Sequence, residues 1–96
     1  MINRGGLKIY SAEVESVLAG HPDVVESAIV ARACPVLGER VHAVVVVRSD
    51  VNSPTLRAWC AERMSDYKVP ETIDIRTEPL PRNANGKVIK KNLRDS

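Results

Sequence analysis

The spacing of hydrophobic residues near the N-terminus predicts a β-hairpin. Residues 2–4 and 7–9 are short pieces with strand-like alternation, and Gly5-Gly6 separates them. Glycine pairs fill two-residue hairpin turns because both turn positions need positive φ, which glycine adopts without steric cost. The first nine residues are therefore predicted to form a hairpin whose tip is the two glycines.

Two later segments have the spacing of amphipathic helices. Ser11 is predicted to cap the first helix, and Gly20 to end it from the C′ position. Ser53 is predicted to cap the second helix, with Pro54 at its first helical position. Apolar residues recur three or four positions apart in both segments, namely Val14, Val17 and Leu18 in the first and Leu56, Trp59, Cys60 and Met64 in the second. Each helix therefore has one apolar face, and Trp59 is interpreted as a core residue.

Three further segments are predicted to be strands. Residues 24–32 are β-branched and partly alternating, and residues 39–48 hold a run of valines typical of a central strand buried on both faces. Residues 67–70 are predicted to be extended, and Ile73 and Ile75 then alternate with polar residues in a half-exposed strand. The predicted fold class is α+β, with a small, mostly three-stranded sheet packed by two helices and preceded by the N-terminal hairpin.

Composition narrows the class of protein. Ninety-six residues make one domain, and with only three aromatic side chains the core must be mostly aliphatic. The longest apolar run, residues 41–47, is too short to span a bilayer. A net charge of +2 does not indicate a nucleic-acid partner. Cys34 and Cys60 are too few for a disulfide framework, so they are interpreted as buried thiols in a cytoplasmic protein.

Few residues have the pattern of a catalytic or metal site. His21 follows a helix end and His42 interrupts a strand, and neither has a Cys, Asp or second His clustered nearby in sequence. Both are interpreted as structural histidines, and no metal site is predicted. No pairing of nucleophile and base is evident either, so a complete active site within this chain is not expected.

The stretch from residue 80 to 91 is polar in its middle and basic at its end. The Asn85-Gly86 pair favours a sharp turn that leaves Lys87 at the tip of a mobile loop. Such a loop is suited to deliver one positive charge, although a lysine that is simply solvated fits the composition equally well. Five basic residues and no acid occur between Arg82 and Arg94, which leaves open a small binding module for nucleic acid or acidic lipid.

Taken together, the two glycine-containing segments and the stretches between them resemble the C-terminal domain of adenylate-forming enzymes. This family comprises acyl-CoA and aryl-CoA synthetases, peptide-synthetase adenylation domains and luciferases. Residues 1–9 (MINRGGLKI) with 13–15 resemble the core motif next to the hinge, and residues 35–41 resemble a further segment. Residues 67–70 (YKVP) with 80–88 (LPRNANGKV) resemble the final core motif. The resemblance covers nearly the whole chain in order.

The resemblance implies a function shared with a large N-terminal domain that binds ATP, with its Mg²⁺, and a small carboxylic acid. In the first half-reaction the acid and ATP give acyl-AMP and pyrophosphate. Lys87 matches the catalytic lysine of this step, presented by the loop that holds Asn85 and Gly86. The acid itself is not indicated, since its pocket belongs to the other domain. Residues 1–96 are accordingly interpreted as one mobile C-terminal domain that does not turn over alone.

For the second half-reaction, the resemblance implies that the domain rotates and that Gly5 and Gly6 line the tunnel for the pantetheine thiol of CoA. Lys8, Tyr67 and Lys68 are the other candidate CoA contacts. The Asn-Arg-Gly-Gly form of the motif is more similar to acyl-CoA synthetases than to peptide-synthetase domains. Loading of a carrier protein, whose pantetheine would meet the same glycines, remains the alternative.

Overall fold

A computed structural model describes residues 2–36, 38–86 and 88. Within these residues lie five strands, two α-helices and one short 3₁₀ helix. Their bounds are β1 Ile2–Arg4, β2 Leu7–Ile9, α1 Ser11–Ala19, β3 Val24–Cys34, β4 Gly38–Val47, α2 Ser53–Ala61, the 3₁₀ helix Asp66–Lys68 and β5 Thr72–Arg76. The α+β class, the two helices and the N-terminal hairpin are confirmed. None of the helices found in these ranges is long and apolar enough to cross a membrane.

The strands form one mostly antiparallel sheet in which β4 is central. One edge of β4 pairs antiparallel with β3 from Val47 to Gly38. Its other edge pairs antiparallel with β1, where Arg4 lies opposite Gly38, and parallel with β5 from His42 to Val46. The sheet therefore has five strands instead of three, because the hairpin continues the main sheet.

The valine run of β4 is buried on both faces of the sheet, as its consecutive apolar residues predicted. Alternate residues of β4 pack with α1 and α2 in the larger core, which we call the helix-covered face. They are Val41, Ala43, Val45 and Val47. The opposite face, here called the second face, holds the smaller cluster. Its members are Ala28, Val30, Val44, Val46 and Leu80, with Val88 packed against them. The chain after β5 thus covers the side of the sheet that the helices leave open.

Both predicted helix starts are displaced by one residue. The N-cap of α1 is Tyr10, and Ser11 is the first helical residue. The N-cap of α2 is Asn52, whose side-chain oxygen accepts the Thr55 N–H at 3.0 Å, so that Pro54 is the second helical residue. Asparagine caps helices as well as serine does, and it precedes Ser53 at the point where the chain is still extended.

The predicted C′ glycine of α1 is wrong in conformation. Gly20 has φ −72°, in the right-handed region, so no left-handed residue ends the helix. A Cβ there would lie 3.7 Å from Trp59 Cζ2, an ordinary van der Waals distance, so neither φ nor space requires glycine at this position. Trp59 donates its indole N–H to the Val17 carbonyl at 2.9 Å and packs against the helix-covered core, which confirms its core role.

The prediction of an extended segment at residues 67–70 is also wrong at its start. Asp66–Lys68 forms a 3₁₀ turn, in which the Lys68 N–H donates to Ser65 and the Val69 N–H donates to Asp66. Proline disfavours helix only in the residue immediately before it, and the turn ends one residue earlier. Val69 and Pro70 are buried beside β5, as the apolar part of this segment requires.

Candidate functional site

The tip of the N-terminal hairpin consists of two exposed glycines, Gly5 and Gly6, and therefore has no side chains. Gly5 has φ 57° and Gly6 has φ 91°, which confirms the two-residue primed turn. The Gly6 N–H donates to the Asn3 side-chain oxygen at 3.0 Å, and this bond holds the turn closed from one side. A Cβ placed on Gly6 would meet nothing within 4 Å in the part of the chain that the structure describes. The space around the tip is therefore open to a ligand or to another protein domain.

An ion-pair cluster next to the tip of the hairpin joins β1 to β4 and to Glu71, the residue that precedes β5. The Arg4 guanidinium donates from Nη2 and Nε to Glu71 Oε1, at 2.7 and 2.8 Å. The other oxygen, Oε2, lies 3.4 Å from Arg40 Nε, an ion contact whose geometry falls short of a hydrogen bond. Arg40 also donates to Cys34 Sγ at 3.0 Å, and this bond is the main reason that the pKa of Arg40 is raised. Glu71 thus links the hairpin to both neighbouring strands.

Replacing Glu71 by alanine is expected to loosen the hairpin while the rest of the domain stays folded. The half-buried ion pair with Arg4 is worth about 1 kcal/mol, so amide exchange in β1 and β2 should accelerate by about fivefold. Hydrogen-exchange mass spectrometry of the hairpin peptide measures this change. Glu62→Ala is the control, because it removes an ion pair that reaches only the adjacent Arg63. Equal acceleration in both variants would contradict the anchoring role of Glu71.

A second glycine turn lies in the chain after β5. The Gly86 N–H donates to the Asn83 carbonyl at 3.0 Å, and Gly86 has φ 81°. The hydrogen-bonded turn is therefore centred on Ala84-Asn85, one residue before the predicted Asn85-Gly86 pair, of which only the glycine has positive φ. The turn is closed below by an antiparallel bridge between Arg82 and Val88. Lys87, the predicted catalytic residue, lies outside the described residues.

The two glycine turns are held at opposite ends of the β3–β4 ribbon. The segment that leads to the second turn binds Glu26, which pairs with Val46. The first turn projects beyond Gly38, which pairs with Cys34 at the other end of β3. Glu26 and Cys34 are eight positions apart on one strand. At the usual rise of a strand, this separates the two anchors by roughly 26 Å.

The other predicted CoA contacts have structural partners within the domain. Lys68 Nζ lies 2.8 Å from Glu13 Oε1 of α1, and this hydrogen bond is the main reason that the pKa of Lys68 is raised. Tyr67 packs against the helix-covered core. Lys8 is exposed on β2, opposite Asn3 in the hairpin. Contact of these three side chains with CoA stays a prediction.

His42 is the buried polar residue of the second face. Its Nδ1 lies 2.6 Å from Thr72 Oγ1, and its Nε2 has no hydrogen-bond partner among the described residues. Burial lowers its pKa below the ordinary value for histidine, so the neutral ring is favoured at physiological pH. The described ranges hold no cluster of three or more His, Cys, Asp or Glu side chains that could bind a metal.

Sequence reasoning missed Glu26 and Glu71, the two acids that hold the two turns. Their arginine partners are 56 and 67 positions away in the chain. Neither acid is part of a local motif such as a helical i, i+4 pair, so the sequence carries no short-range signal for these contacts. Only the sheet topology brings each acid to its arginine.

Comparison with known proteins places this geometry in a family. Residues 13–87 match the AMP-binding enzyme C-terminal domain. The chain is 39% identical over 95 residues to 2-succinylbenzoate–CoA ligase of Bacillus velezensis, covering 99% of this chain and 19% of that protein. The structure of ATP-bound MatB from Rhodopseudomonas palustris has a TM-score of 0.89 and 32% identity, with 97% of this chain and 19% of that chain covered.

A third relative has been solved with a product analogue. This is a double mutant of o-succinylbenzoate CoA synthetase from Bacillus subtilis bound with OSB-NCoA, with a TM-score of 0.90 and 38% identity. The coverage is 97% of this chain and 19% of that chain, so the present chain spans about a fifth of the length of these relatives. The family match over most of the chain and these identities show that the chain belongs to the AMP-binding enzyme C-terminal domain family, the domain found in acid–CoA ligases.

Proposed function

We propose that this chain works as the C-terminal domain of an ATP-dependent acid–CoA ligase, joined to a large N-terminal domain. In the first half-reaction, a carboxylate oxygen attacks the α-phosphorus of ATP, which gives acyl-AMP and releases pyrophosphate. In the second, the CoA thiol attacks the acyl carbon and releases AMP. The ATP-bound and product-analogue-bound relatives support both substrates. The N-terminal domain would select the acid and hold most contacts to ATP and Mg²⁺.

The observation that carries this proposal is the placement of the two glycine turns at opposite ends of one ribbon. With anchors roughly 26 Å apart, the turns cannot both reach a reaction centre a few ångströms wide in a single orientation of the domain. One face therefore serves each half-reaction, and the domain turns as a rigid body between the two steps. The continuous pairing of β3 and β4 keeps the turns apart in both orientations.

Lys87 is assigned to the adenylation step on chemical grounds. Negative charge accumulates around the α-phosphate when an anionic carboxylate attacks an anionic triphosphate, so a cation there stabilises the transition state. Lys87 directly follows Gly86, whose positive φ turns the chain sharply at the tip of the loop. A lysine carried on a narrow turn can enter a site that the body of the domain cannot.

The hairpin is assigned to thioester formation because of its exposed glycines. Without Cβ atoms at Gly5 and Gly6, a thin chain such as pantetheine can pass close to the backbone. The exposed Lys8 on the same hairpin would supply positive charge for the phosphates of CoA, and Lys68, which is paired with Glu13, is a second candidate contact. A carrier protein would bring the same pantetheine to the same turn.

A domain graft tests the proposed function. Residues 1–96 replace the corresponding domain of Bacillus subtilis o-succinylbenzoate CoA synthetase, and acyl-AMP and acyl-CoA are quantified with ATP, acid and CoA. The graft should restore both products to the truncated host, while the isolated chain should form neither. Acyl-CoA formation by the isolated chain, or a folded graft without either product, would contradict the proposal. Replacing CoA by a carrier protein that has a free pantetheine thiol in the same assay identifies the thiol substrate.

A further inference from the structure

Glu26 and Arg82 form a continuous polar connection between β3 and the residue that precedes Lys87. Glu26 Oε1 accepts the Leu80 N–H at 3.3 Å and Arg82 Nη2 at 3.0 Å. The other terminal nitrogen of Arg82, Nη1, donates to the Gly86 carbonyl at 2.9 Å. That carbonyl belongs to the peptide bond through which Lys87 is attached. The connection therefore runs from the sheet to the backbone of the catalytic turn.

A β-bulge aims Glu26 at this loop. Val24 pairs with Val47 and contributes to the helix-covered core, and two positions later a regular strand would place Glu26 on the same face. The register shifts between these residues, so that Glu26 pairs with Val46, whose side chain belongs to the second face. One extra residue thus moves a carboxylate away from the apolar core and towards the loop.

The chemistry at position 82 requires the fork of an arginine. Its planar guanidinium offers separate N–H groups at fixed angles, so one nitrogen can bind Glu26 while the other binds the Gly86 carbonyl. A lysine has one nitrogen at the end of a flexible stem and cannot hold both partners in this geometry. The apolar contacts of Leu80 and Val88 on the second face fix the two sides of the loop, but they do not orient its tip.

We propose that Glu26 is a positioning residue for the adenylation step, which sets the direction of Lys87 through Arg82. The inference rests on the proposed function, since it assigns Lys87 to acyl-AMP formation. Glu26 touches neither substrate nor reacting atoms in this role. It fixes the Gly86 carbonyl, and the orientation of that peptide plane determines where the Lys87 side chain begins. Removing Glu26 leaves Lys87 in the chain but lets the turn sample directions in which the ammonium misses the phosphate.

The test measures each half-reaction in the complete ligase, meaning this domain joined to its N-terminal domain. Glu26→Ala should slow acyl-AMP formation by about tenfold, seen in kcat with KM for ATP nearly unchanged, because loss of orientation costs rate more than binding. Thioester formation from supplied acyl-AMP should stay unchanged. Arg82→Lys should reproduce this pattern, and Glu26→Gln, which keeps an acceptor oxygen, should restore part of the rate. Asp74→Ala is the matched control, since it removes a 3.0 Å ion pair between two residues of β5, Asp74 and Arg76.

Combination with Lys87→Ala separates this inference from the proposed function. If Glu26 acts through Lys87, then Glu26→Ala should cause no additional loss in the Lys87→Ala background. A full additional tenfold loss there, or equal slowing of both half-reactions by Glu26→Ala alone, would overturn the positioning role. Normal adenylation by Lys87→Ala would instead overturn the proposed function. Should Glu26→Ala fail to fold, Arg82→Lys provides the same comparison with the β3 side chain intact.

Discussion

Lys87→Ala in the complete ligase should slow acyl-AMP formation by about 10²–10³-fold, the usual loss when one charge-stabilising group is removed from a preorganised site. Thioester formation from supplied acyl-AMP should remain close to the original rate. We expect this difference because the anchor of the second glycine turn on Glu26 lies at the far end of the β3–β4 ribbon from the hairpin, so the proposed function uses Lys87 only in the orientation for adenylation. The change affects one orientation of the domain only.

Pyrophosphate exchange and single-turnover thioesterification measure the two steps separately. Lys90→Ala is the control, since it also removes one positive charge, three positions further along the basic tail. Loss of both half-reactions to the same extent in Lys87→Ala, with an unchanged melting temperature, would show that Lys87 does not act on adenylation alone. A similar loss in both lysine variants would indicate a general effect of charge in the tail.

Gly6→Leu and Gly86→Leu should slow different half-reactions of the same enzyme. Both glycines have positive φ, 91° and 81°, and a Cβ at either would meet nothing within 4 Å among the residues that the structure describes. The intrinsic cost is therefore matched, at about 1–3 kcal/mol of backbone strain in each variant. Beyond that cost, Gly6→Leu should slow thioester formation by about 10²-fold through obstruction of the pantetheine path, and Gly86→Leu should slow adenylation by misplacing Lys87.

The paired design separates function from folding. Thermal unfolding of the two variants should give similar shifts, because both positions have positive φ and a Cβ at either meets no described atom within 4 Å. The half-reaction assays should then differ in which step is lost. If Gly6→Leu slowed adenylation as strongly as it slowed thioester formation, the hairpin would have no specific part in thioester formation, and the assignment of separate faces would be wrong.

Local signals in the sequence were sufficient for the main elements. Gly5-Gly6 specified a primed turn because few residues other than glycine adopt positive φ at both positions. The valine run of β4 specified a strand buried on both faces, because alternation disappears when neither face meets water. These features are set by the residues themselves and by their immediate neighbours.

Features that depend on long-range geometry could not be predicted in the same way. Asn52 and Ser53 are equally good caps, and only the angle at which the chain enters α2 decides between them. The hairpin joined the main sheet through the pairing of Arg4 with Gly38, which no local pattern indicates. The contacts of Glu26 and Glu71 likewise depend on strands that meet only after the sheet has formed.

The β-bulge before Glu26 has a consequence for how this domain can vary in length. Side chains alternate between the two faces of a strand, so adding one residue to β3 beyond the bulge would exchange every inward and outward position that follows. Adding two residues to β3 and two to β4 would preserve both faces and lengthen the ribbon by about 6.6 Å. The distance between the two ends of the ribbon that hold the glycine turns can thus change only by pairs of residues, and the single extra residue of the bulge determines which side chains face each core.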